Sequence, residues 1–135
     1  MTGAQDDSQR QNTSVKAFGF PSEYRIRSQQ DFDAIYAVKQ RAGDQNLLLF
    51  AMRSGLPQTR LGVSVSKKNG NAIRRARKKR LLREAFRLSH SQLPAGLDLV
   101  VIPRADREGD LAGYQKSLKY LSQKLNRRLE QQPGR

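Results

Sequence analysis

The chain has 135 residues, and its 26 Lys and Arg against 12 Asp and Glu leave a formal net charge of +14. With no Cys and a single His, the sequence excludes disulfides, thiolate zinc sites, cysteine nucleophiles and histidine-rich metal centres. Such a positive excess predicts a polyanionic partner. Nucleic acid fits better than a membrane, because the longest apolar run, residues 47–52, is far too short to span a bilayer.

Composition along the chain predicts one folded domain with polar ends. Residues 1–15 are rich in Gln, Ser, Asp and Thr, which predicts a disordered tail, and residues 131–135 are expected to fray. The tail has no basic stretch followed by an apolar one, so it does not resemble a signal peptide, and the expected location is the cytoplasm. Residues 16–130 remain as a single domain that must contain the nucleic-acid-binding surface.

The first half of this domain predicts one helix and a strand pair. Ser28 followed by Asp31 is an N-cap pattern, and apolar residues then recur at helical spacing, so a helix is expected at about residues 29–39. Residues 46–53 and 60–66 predict two paired strands joined by a loop. The second strand alternates Leu or Val with Gly or Ser, which gives it one apolar face and one face of small groups.

The second half predicts a long basic helix, a buried strand and a final amphipathic helix. The basic helix is expected at residues 71–89 and the strand at residues 97–102, while His90 between them is expected in a surface loop. One stripe of the final helix is apolar and predicts burial: Leu111, Tyr114, Leu118, Leu121 and Leu125. The order α-β-β-α-β-α predicts an α/β protein, more closely an α+β two-layer sandwich, whose β-α-β unit would be right-handed by general preference.

The segment from Lys67 to Arg87 concentrates ten basic residues around one acid, Glu84. At helical spacing one face collects apolar residues: Leu81, Leu82, Ala85 and Leu88. The other side carries an i, i+4 ridge of cations: Arg75, Lys79, Arg83 and Arg87, with Arg80 beside them. A charge run is often only a solvated face, but like charges at this spacing weaken a helix, and Arg suits bidentate phosphate contacts. The segment therefore predicts a polyanion-binding surface.

The sequence GVSVSKKNGNAIRRARKKRLLREAF, from Gly62 to Phe86, closely resembles the signature region of bacterial ribonuclease P proteins. The resemblance covers about residues 24–128. It rests on the serines that alternate along the strand, on the Lys-Lys and Gly-Asn-Ala link, and on the Leu-Leu-Arg-Glu end of the basic helix. Family members typically have Arg-Asn-Arg where this chain has Arg75-Ala76-Arg77, so an amide contact is missing at Ala76.

The resemblance implies a fold like the second domain of ribosomal protein S5, with a left-handed crossover in place of the generally preferred hand. It also implies that the chain binds the ribonuclease P RNA and the single-stranded 5′ leader of precursor tRNA, and assists endonucleolytic removal of that leader in tRNA maturation. Hydrolysis would be carried by the RNA and its Mg²⁺, with no catalytic residue, metal ligand or organic cofactor in this chain. Neither a membrane nor a protein partner is expected.

The resemblance further implies two groups of binding residues. Contacts to the ribonuclease P RNA are expected from the basic segment: Lys67, Lys68, Asn71, Arg74, Arg75, Arg77, Lys78, Lys79, Arg80, Arg83 and Arg87. A cleft for the leader is expected from the first helix, the strands and the strand ends: Phe32, Tyr36, Phe50, Ser64, Ser66 and Arg104. Aromatic rings stack on unpaired bases with little sequence demand, and small serines let a nucleotide approach. Without the resemblance, the three rings would be interpreted as ordinary core.

Three other functions stay open at this point. A ribosomal or other structural RNA-binding protein would bind RNA without any effect of leader length. A sequence-specific DNA-binding protein would use residues 71–87 as a recognition helix, yet this segment has few base-reading side chains and no evident dimer seam. A protein-only nuclease would need clustered metal-binding carboxylates and would cleave without RNA.

Overall fold

The computed structural model describes residues 21–131, which contain three α-helices and four β-strands. In chain order the elements are α1 (Gln29–Val38), β1 (Arg41–Gly43), β2 (Leu47–Arg53), β3 (Arg60–Val63), α2 (Ala72–Ser89), β4 (Leu97–Pro103) and α3 (Leu111–Glu130). The predicted tail, residues 1–15, and residues 132–135 of the predicted frayed end lie outside the described residues. Within residues 21–131, no helix combines the length and the apolar character needed to cross a bilayer.

Each α-helix begins at a side-chain cap that the sequence encodes. Ser28 Oγ accepts a hydrogen bond from the backbone N–H of Asp31 at 3.1 Å, as the N-cap pattern predicted. Asn71 caps α2 by accepting from the N–H of Arg74 at 2.9 Å, and Asp110 caps α3 in the same way. These oxygens satisfy backbone N–H groups that have no partner inside the helix. The caps therefore fix where each helix starts and which residues it turns toward the sheet.

The four strands form one mixed sheet in the order β1-β2-β4-β3. β4 pairs antiparallel with β2 and parallel with β3, so the β-α-β unit of β3, α2 and β4 is confirmed, while the hand of its crossover stays a prediction. The predicted pairing of the strands at residues 46–53 and 60–66 is wrong, because β4 lies between them. β4 takes this central position because its sequence is nearly all apolar, and six of its seven residues are buried.

Two further strand boundaries differ from the sequence prediction. β3 ends at Val63 rather than at residue 66: Ser64 still donates to the Val101 carbonyl at 3.0 Å, and the chain then turns into a short 3₁₀ helix, Lys67–Asn69. β1, which was not predicted, pairs with residues of β2. Its three residues are Arg, Ala and Gly, which show no alternating apolar pattern, so the sequence carries no signal for it.

The main hydrophobic core lies between the sheet and the two long helices, α2 and α3. The predicted stripe of α3 is confirmed, since its central members are at most 1% exposed: Tyr114, Leu118, Leu121 and Leu125. On α2 the predicted apolar face is partly wrong, because Leu88 is 45% exposed whereas Phe86 is fully buried. The buried stripe of α2 instead contains Lys78, Leu82, Ala85, Phe86 and Ser89.

α1 packs on the opposite face of the sheet and covers part of it. Ile35 of α1 and Val100 of β4 are fully buried there, in a smaller apolar cluster with half-buried aromatic residues around them. A mixed sheet with its two long helices on one face confirms the predicted α+β sandwich. The face under α1 is the one on which the predicted leader cleft would lie.

His90 does not lie in a surface loop as the sequence predicted. It follows α2 directly in a short 3₁₀ turn, and its ring stacks on that of Tyr24 with 4.4 Å between the centroids. The ring of Phe86 meets it edge-on at 5.2 Å, and His90 Nε2 is 3.3 Å from the carbonyl oxygen of Thr59. These contacts join the end of α2 to the segment that precedes α1.

The close approach of α1 to β3 predicts that Gly62 tolerates no side chain. A Cβ atom at this position would lie 2.7 Å from Cζ of Phe32. We expect Gly62→Ala to lower the free energy of unfolding by about 1–3 kcal/mol, the usual cost of overpacking, as measured by chemical denaturation. Adding Phe32→Leu, which removes the clashing ring, should recover part of the loss. An unchanged stability of the single variant would contradict this contact.

Candidate nucleic-acid interface

Apart from Lys78, the cations of α2 lie on two flanks of its outer surface. Arg74, Arg77 and Arg80 are exposed and follow one another three residues apart. The i, i+4 ridge predicted from the sequence forms the second flank, and its members are half-buried: Arg75, Lys79, Arg83 and Arg87. Ala76, where the resemblance leads one to expect Asn, is exposed beside them, so this surface lacks one hydrogen-bonding group.

Two members of the half-buried flank are held by the protein itself. Arg87 donates from Nε and Nη2 to the two carboxylate oxygens of Glu84 at 3.0 and 2.7 Å. These hydrogen bonds lower the pKa of Glu84 and raise the pKa of Arg87, so both groups stay charged and offset each other. Arg75 donates from Nε to the Gly70 carbonyl at 3.2 Å. The uncompensated charge of α2 is therefore concentrated in its N-terminal half.

Lys78 was expected among the RNA contacts, and the structure corrects that expectation. Its side chain lies on the buried stripe of α2, and the residue is only 3% exposed. The ammonium donates to Asn69 Oδ1 at 2.7 Å and to the carbonyl oxygen of Arg104 at 3.0 Å. Burial lowers the pKa of this ammonium. The sequence did contain a signal, because Lys78 stands four residues before Leu82 at the spacing of the buried face.

The link between β3 and α2 presents two further cations. Lys67 and Lys68 lie in the 3₁₀ turn and are both exposed. Behind them Asn69 is 5% exposed and donates from Nδ2 to the Ser66 carbonyl at 3.0 Å. The Oδ1 atom of the same amide accepts a hydrogen bond from the Lys78 ammonium. Because that ammonium also donates to the Arg104 carbonyl, these bonds tie the link to both α2 and the end of β4. The two lysines are thereby held at the carboxyl end of β3.

Phe32, Tyr36 and Phe50 come together on the sheet face that α1 covers, as predicted. The ring centroids of Phe32 and Tyr36 are 6.3 Å apart, and those of Tyr36 and Phe50 are 4.9 Å apart in an edge-to-face arrangement. All three rings are half-buried and pack around Ile35. Each ring is thus part of the small core and still partly accessible, which suits a ring that packs at its base and exposes an edge.

An open row of the sheet continues from this aromatic cluster. Leu48 of β2 is paired with Ile102 of β4, and Ser64 follows β3 on the other side of β4. Leu48, Ser64 and Ile102 are half-buried, and Ser66 further along the chain is exposed. Because side chains alternate along a strand, this row faces the same side as the aromatic cluster. It forms a shallow floor of small and aliphatic groups.

Arg104 stands just beyond the end of β4, beside this row. Its Nε donates to the carbonyl oxygen of Asp44 at 3.0 Å, and its backbone N–H donates to the carbonyl of Asn46 at 3.0 Å. A Cβ at Gly43 would lie 2.6 Å from Nη2 of Arg104, so the glycine leaves room for the guanidinium. The arginine is therefore a positioned cation rather than a freely moving one.

A cleft of about 320 Å³ at the outer edge of β3 brings three arginines together: Arg25, Arg27 and Arg83. The ring of Phe32 lines the same cleft. Burial and then the neighbouring cations lower the pKa of Arg83. Sequence reasoning missed Arg25 and Arg27, because their place depends on a parallel bridge between Arg25 and Leu61 that no local pattern encodes. This cleft connects the half-buried flank of α2 to the aromatic cluster.

Acidic side chains of the described residues make contacts within the protein. Within residues 21–131, no group of three or more His, Asp or Glu side chains is placed to hold a metal ion. Asp98 of β4 forms a bidentate pair with Arg60 at 2.7 and 2.8 Å, and Asp110 caps α3. These carboxylates stabilise the fold.

A profile of the Ribonuclease P family matches residues 20–126 of the chain. The chain belongs to the ribonuclease P protein family. The matched range contains β3, the basic link and α2, the same segment on which the sequence resemblance rests. The cationic surface of α2 and the aromatic cluster under α1 both lie within the range that matches the family.

Individual family members agree with this assignment. The ribonuclease P protein component of Oleidesulfovibrio alaskensis is 43% identical over 82 residues, which cover 59% of this chain and 66% of that protein. That of Caldanaerobacter subterraneus is 35% identical over 101 residues, which cover 74% of this chain and 87% of that protein. The chain thus matches just under two thirds of the first relative and most of the second.

Solved structures of the family share the fold. The RNase P protein from Thermotoga maritima matches with a TM-score of 0.66 and 30% identity, over 72% of this chain and 96% of that one. The Staphylococcus aureus RNase P protein matches with a TM-score of 0.64 and 32% identity, over 73% and 91% of the two chains. The mixed sheet and the helices packed on it are therefore features of this ribonuclease P family.

The buried ammonium of Lys78 predicts a pH-dependent stability. Burial lowers its pKa in the folded state below the ordinary value of 10.5, so the unfolded chain binds this proton more tightly. The charged form opposes folding below the folded-state pKa, and the free energy of unfolding should rise as pH increases from that pKa toward 10.5. Lys78→Met removes this contribution. Denaturation at several pH values should show the free energy of unfolding of the wild-type chain rising over that interval relative to that of the variant, whereas a constant offset between the two would contradict the burial.

Proposed function

We propose that this chain is the protein subunit of ribonuclease P, which binds the catalytic RNA and the 5′ leader of precursor tRNA and so assists removal of the leader. The observation that carries the proposal is that one domain holds two unlike surfaces on different faces. One is the uncompensated cationic surface of α2, and the other is the half-open aromatic cluster beside the exposed row of the sheet. The first suits the phosphates of a folded RNA, and the second suits unpaired bases.

On the first surface, five exposed cations would meet phosphates of the ribonuclease P RNA: Lys67, Lys68, Arg74, Arg77 and Arg80. Half-buried Arg75, Lys79 and Arg83 add charge at the flank. Asn71 is engaged as the cap of α2, which limits its amide oxygen to that role. If all five exposed cations meet phosphates, the logarithm of the affinity should fall with the logarithm of salt at a slope of about −3.5 to −4.5.

On the second surface, Tyr36 and Phe50 would offer ring edges and faces to unpaired bases of the leader. Ser64 and its neighbours form the floor on which a nucleotide would lie, with Ser66 at its end. Arg104 supplies a positioned cation for the leader backbone. Phe32 contributes mainly by packing, because it also presses on β3.

In this proposal the protein contributes binding, and hydrolysis of the phosphodiester bond belongs to the RNA and its Mg²⁺. Cations on the domain would reduce the repulsion between two RNAs, so that Mg²⁺ sites on the RNA fill at lower Mg²⁺ concentration. The activity is that of an endoribonuclease within a ribonucleoprotein of the cytoplasm. No further protein partner and no organic cofactor enter it.

A structural RNA-binding role is the nearest alternative, since it would use the same surface of α2. The aromatic cluster favours the leader-binding function over it, because accessible rings beside a shallow floor serve an unpaired strand and add little to the binding of a folded RNA. A sequence-specific DNA-binding function is less well supported. The exposed face of α2 offers guanidinium groups, and its one asparagine caps the helix.

Reconstitution tests the first surface. Addition of the chain to its ribonuclease P RNA at low Mg²⁺ should restore precursor tRNA cleavage, and no stimulation would overturn the proposal. Replacing Arg74, Arg77 and Arg80 together by Ala should raise the Kd for the RNA and make the salt dependence less steep by about 2.1 to 2.7. Glu84→Gln with Arg87→Gln is the matched control on the same helix. It removes a pair that is already neutral, so the slope should stay unchanged.

Tyr36 tests the second surface. In the reconstituted enzyme, Tyr36→Leu should weaken binding of leader-bearing precursor tRNA by about fivefold or more, since stacking on one base contributes about 1–3 kcal/mol. Tyr36→Phe keeps the ring and should bind normally. Mature tRNA, which has no leader, is the control ligand. Equal losses for precursor and mature tRNA would count against the leader cleft.

A further inference from the structure

The outer surface of α3 carries a second cationic strip that neither proposed surface uses. α3 packs on the sheet face opposite to α1, with its apolar stripe turned toward the main core. Its outward side contains a shallow groove of about 500 Å³, lined by Ala112, Gln115, Lys116, Lys119, Tyr120 and Gln123. The sheet therefore separates this groove from the aromatic cluster under α1.

Charge on this strip has one sign. From Leu111 to Leu129, α3 contains five Lys and Arg and no acidic residue, and Glu130 is its first carboxylate. Lys116 is exposed and Lys119 is half-buried, and neither forms an ion pair within the described residues. Arg128 is engaged with the protein, since it donates to the Arg41 carbonyl at 2.7 Å. A helix whose outer face is only solvated usually carries charges of both signs, so the single sign here favours a surface that binds an anion.

An exposed aromatic ring lies in the middle of the strip. Tyr120 is 55% exposed, so much of this residue is accessible to a ligand. The Nζ atom of Lys124 lies 5.9 Å from the centroid of this ring. A ring flanked by lysines at the rim of a groove combines a stacking surface with a positive field, the pairing found in proteins that bind single-stranded nucleic acid.

We propose that this strip binds an unpaired segment of RNA, with one base stacked on Tyr120 and the adjoining phosphates along Lys116 and Lys119. Charge complementarity selects a polyanion over a second copy of the chain, because two copies would bring like charges together. The ring selects an unpaired strand over a duplex, whose bases have no free face. This segment is not the part of the leader under α1, because the sheet lies between the two surfaces. It belongs either to the ribonuclease P RNA or to the body of the substrate.

Binding measurements on the full chain test this inference, with three ligands. The first is oligouridylate, an unstructured probe, measured in a background that carries Arg74→Ala, Arg77→Ala, Arg80→Ala and Tyr36→Leu, so that the surface of α2 and the aromatic cluster under α1 both contribute less to binding. The second is the ribonuclease P RNA, and the third is mature tRNA presented to the reconstituted enzyme. The first ligand reports on the strip whether or not the chain stimulates cleavage, so failure of the proposed function and failure of this inference are distinguishable.

Tyr120→Leu should weaken binding of oligouridylate by about fivefold or more, and Tyr120→Phe should not, because only the ring is needed for stacking. Lys116→Gln with Lys119→Gln should make the salt dependence less steep by about 1.4, whereas Lys116→Arg with Lys119→Arg should preserve it. A matching loss with the ribonuclease P RNA would place the segment there, and a matching loss only with mature tRNA would place it in the substrate. Unchanged affinity and salt dependence for all three ligands would overturn the proposal, and equal losses with Phe and Leu at position 120 would overturn the stacking role.

Discussion

The buried ammonium of Lys78 holds together the three parts of the chain on which the proposed contacts depend. It comes from α2, reaches the amide of Asn69 in the basic link, and ends on the carbonyl of Arg104 just past β4. Both acceptors are neutral, so the group keeps a desolvation cost that its hydrogen bonds only partly offset. What this arrangement supplies is position: the exposed arginines of α2, the lysines of the link and the open row of the sheet keep fixed distances from one another.

Charge is distributed unevenly over this frame. Toward the C-terminal end of α2, Glu84 offsets Arg87, and inside the sheet Asp98 offsets Arg60. Elsewhere in the described residues most cations face solvent or each other, as in the cleft where Arg25 and Arg27 lie near Arg83. The isolated domain is therefore under electrostatic repulsion, which a polyanion relieves on binding. This repulsion destabilises the free protein, and the apolar core between the sheet and the two long helices offsets it.

Local signals in the sequence were sufficient for some features of the fold. The cap at Ser28 and the apolar stripe of α3 depend on spacing within a few turns, and both are confirmed. Strand order was not predictable in this way, because the central place of β4 depends on which strand can be buried on both faces. β1 is too short to show a pattern of its own.

The candidate site was likewise predictable only where residue type and local spacing carry the signal. The three rings under α1 and the basic character of α2 follow from residue type and helical spacing, together with the family resemblance. The inward turn of Lys78 was missed because a lysine in a basic run is expected at the surface, although its register with Leu82 pointed inward. Arg25 and Arg27 were missed because tertiary contact alone brings them to α2.

Both outer edges of the sheet are short or covered. β1 has only three residues, and the outer edge of β3 is met by the segment before α1, where the N–H of Ile26 donates to the Leu61 carbonyl at 3.0 Å. Exposed strand edges invite the strands of neighbouring molecules to add to them, which leads to aggregation. Copies of this chain that meet in solution therefore find no long free strand edge in the described sheet, which favours separate molecules over an extended shared sheet.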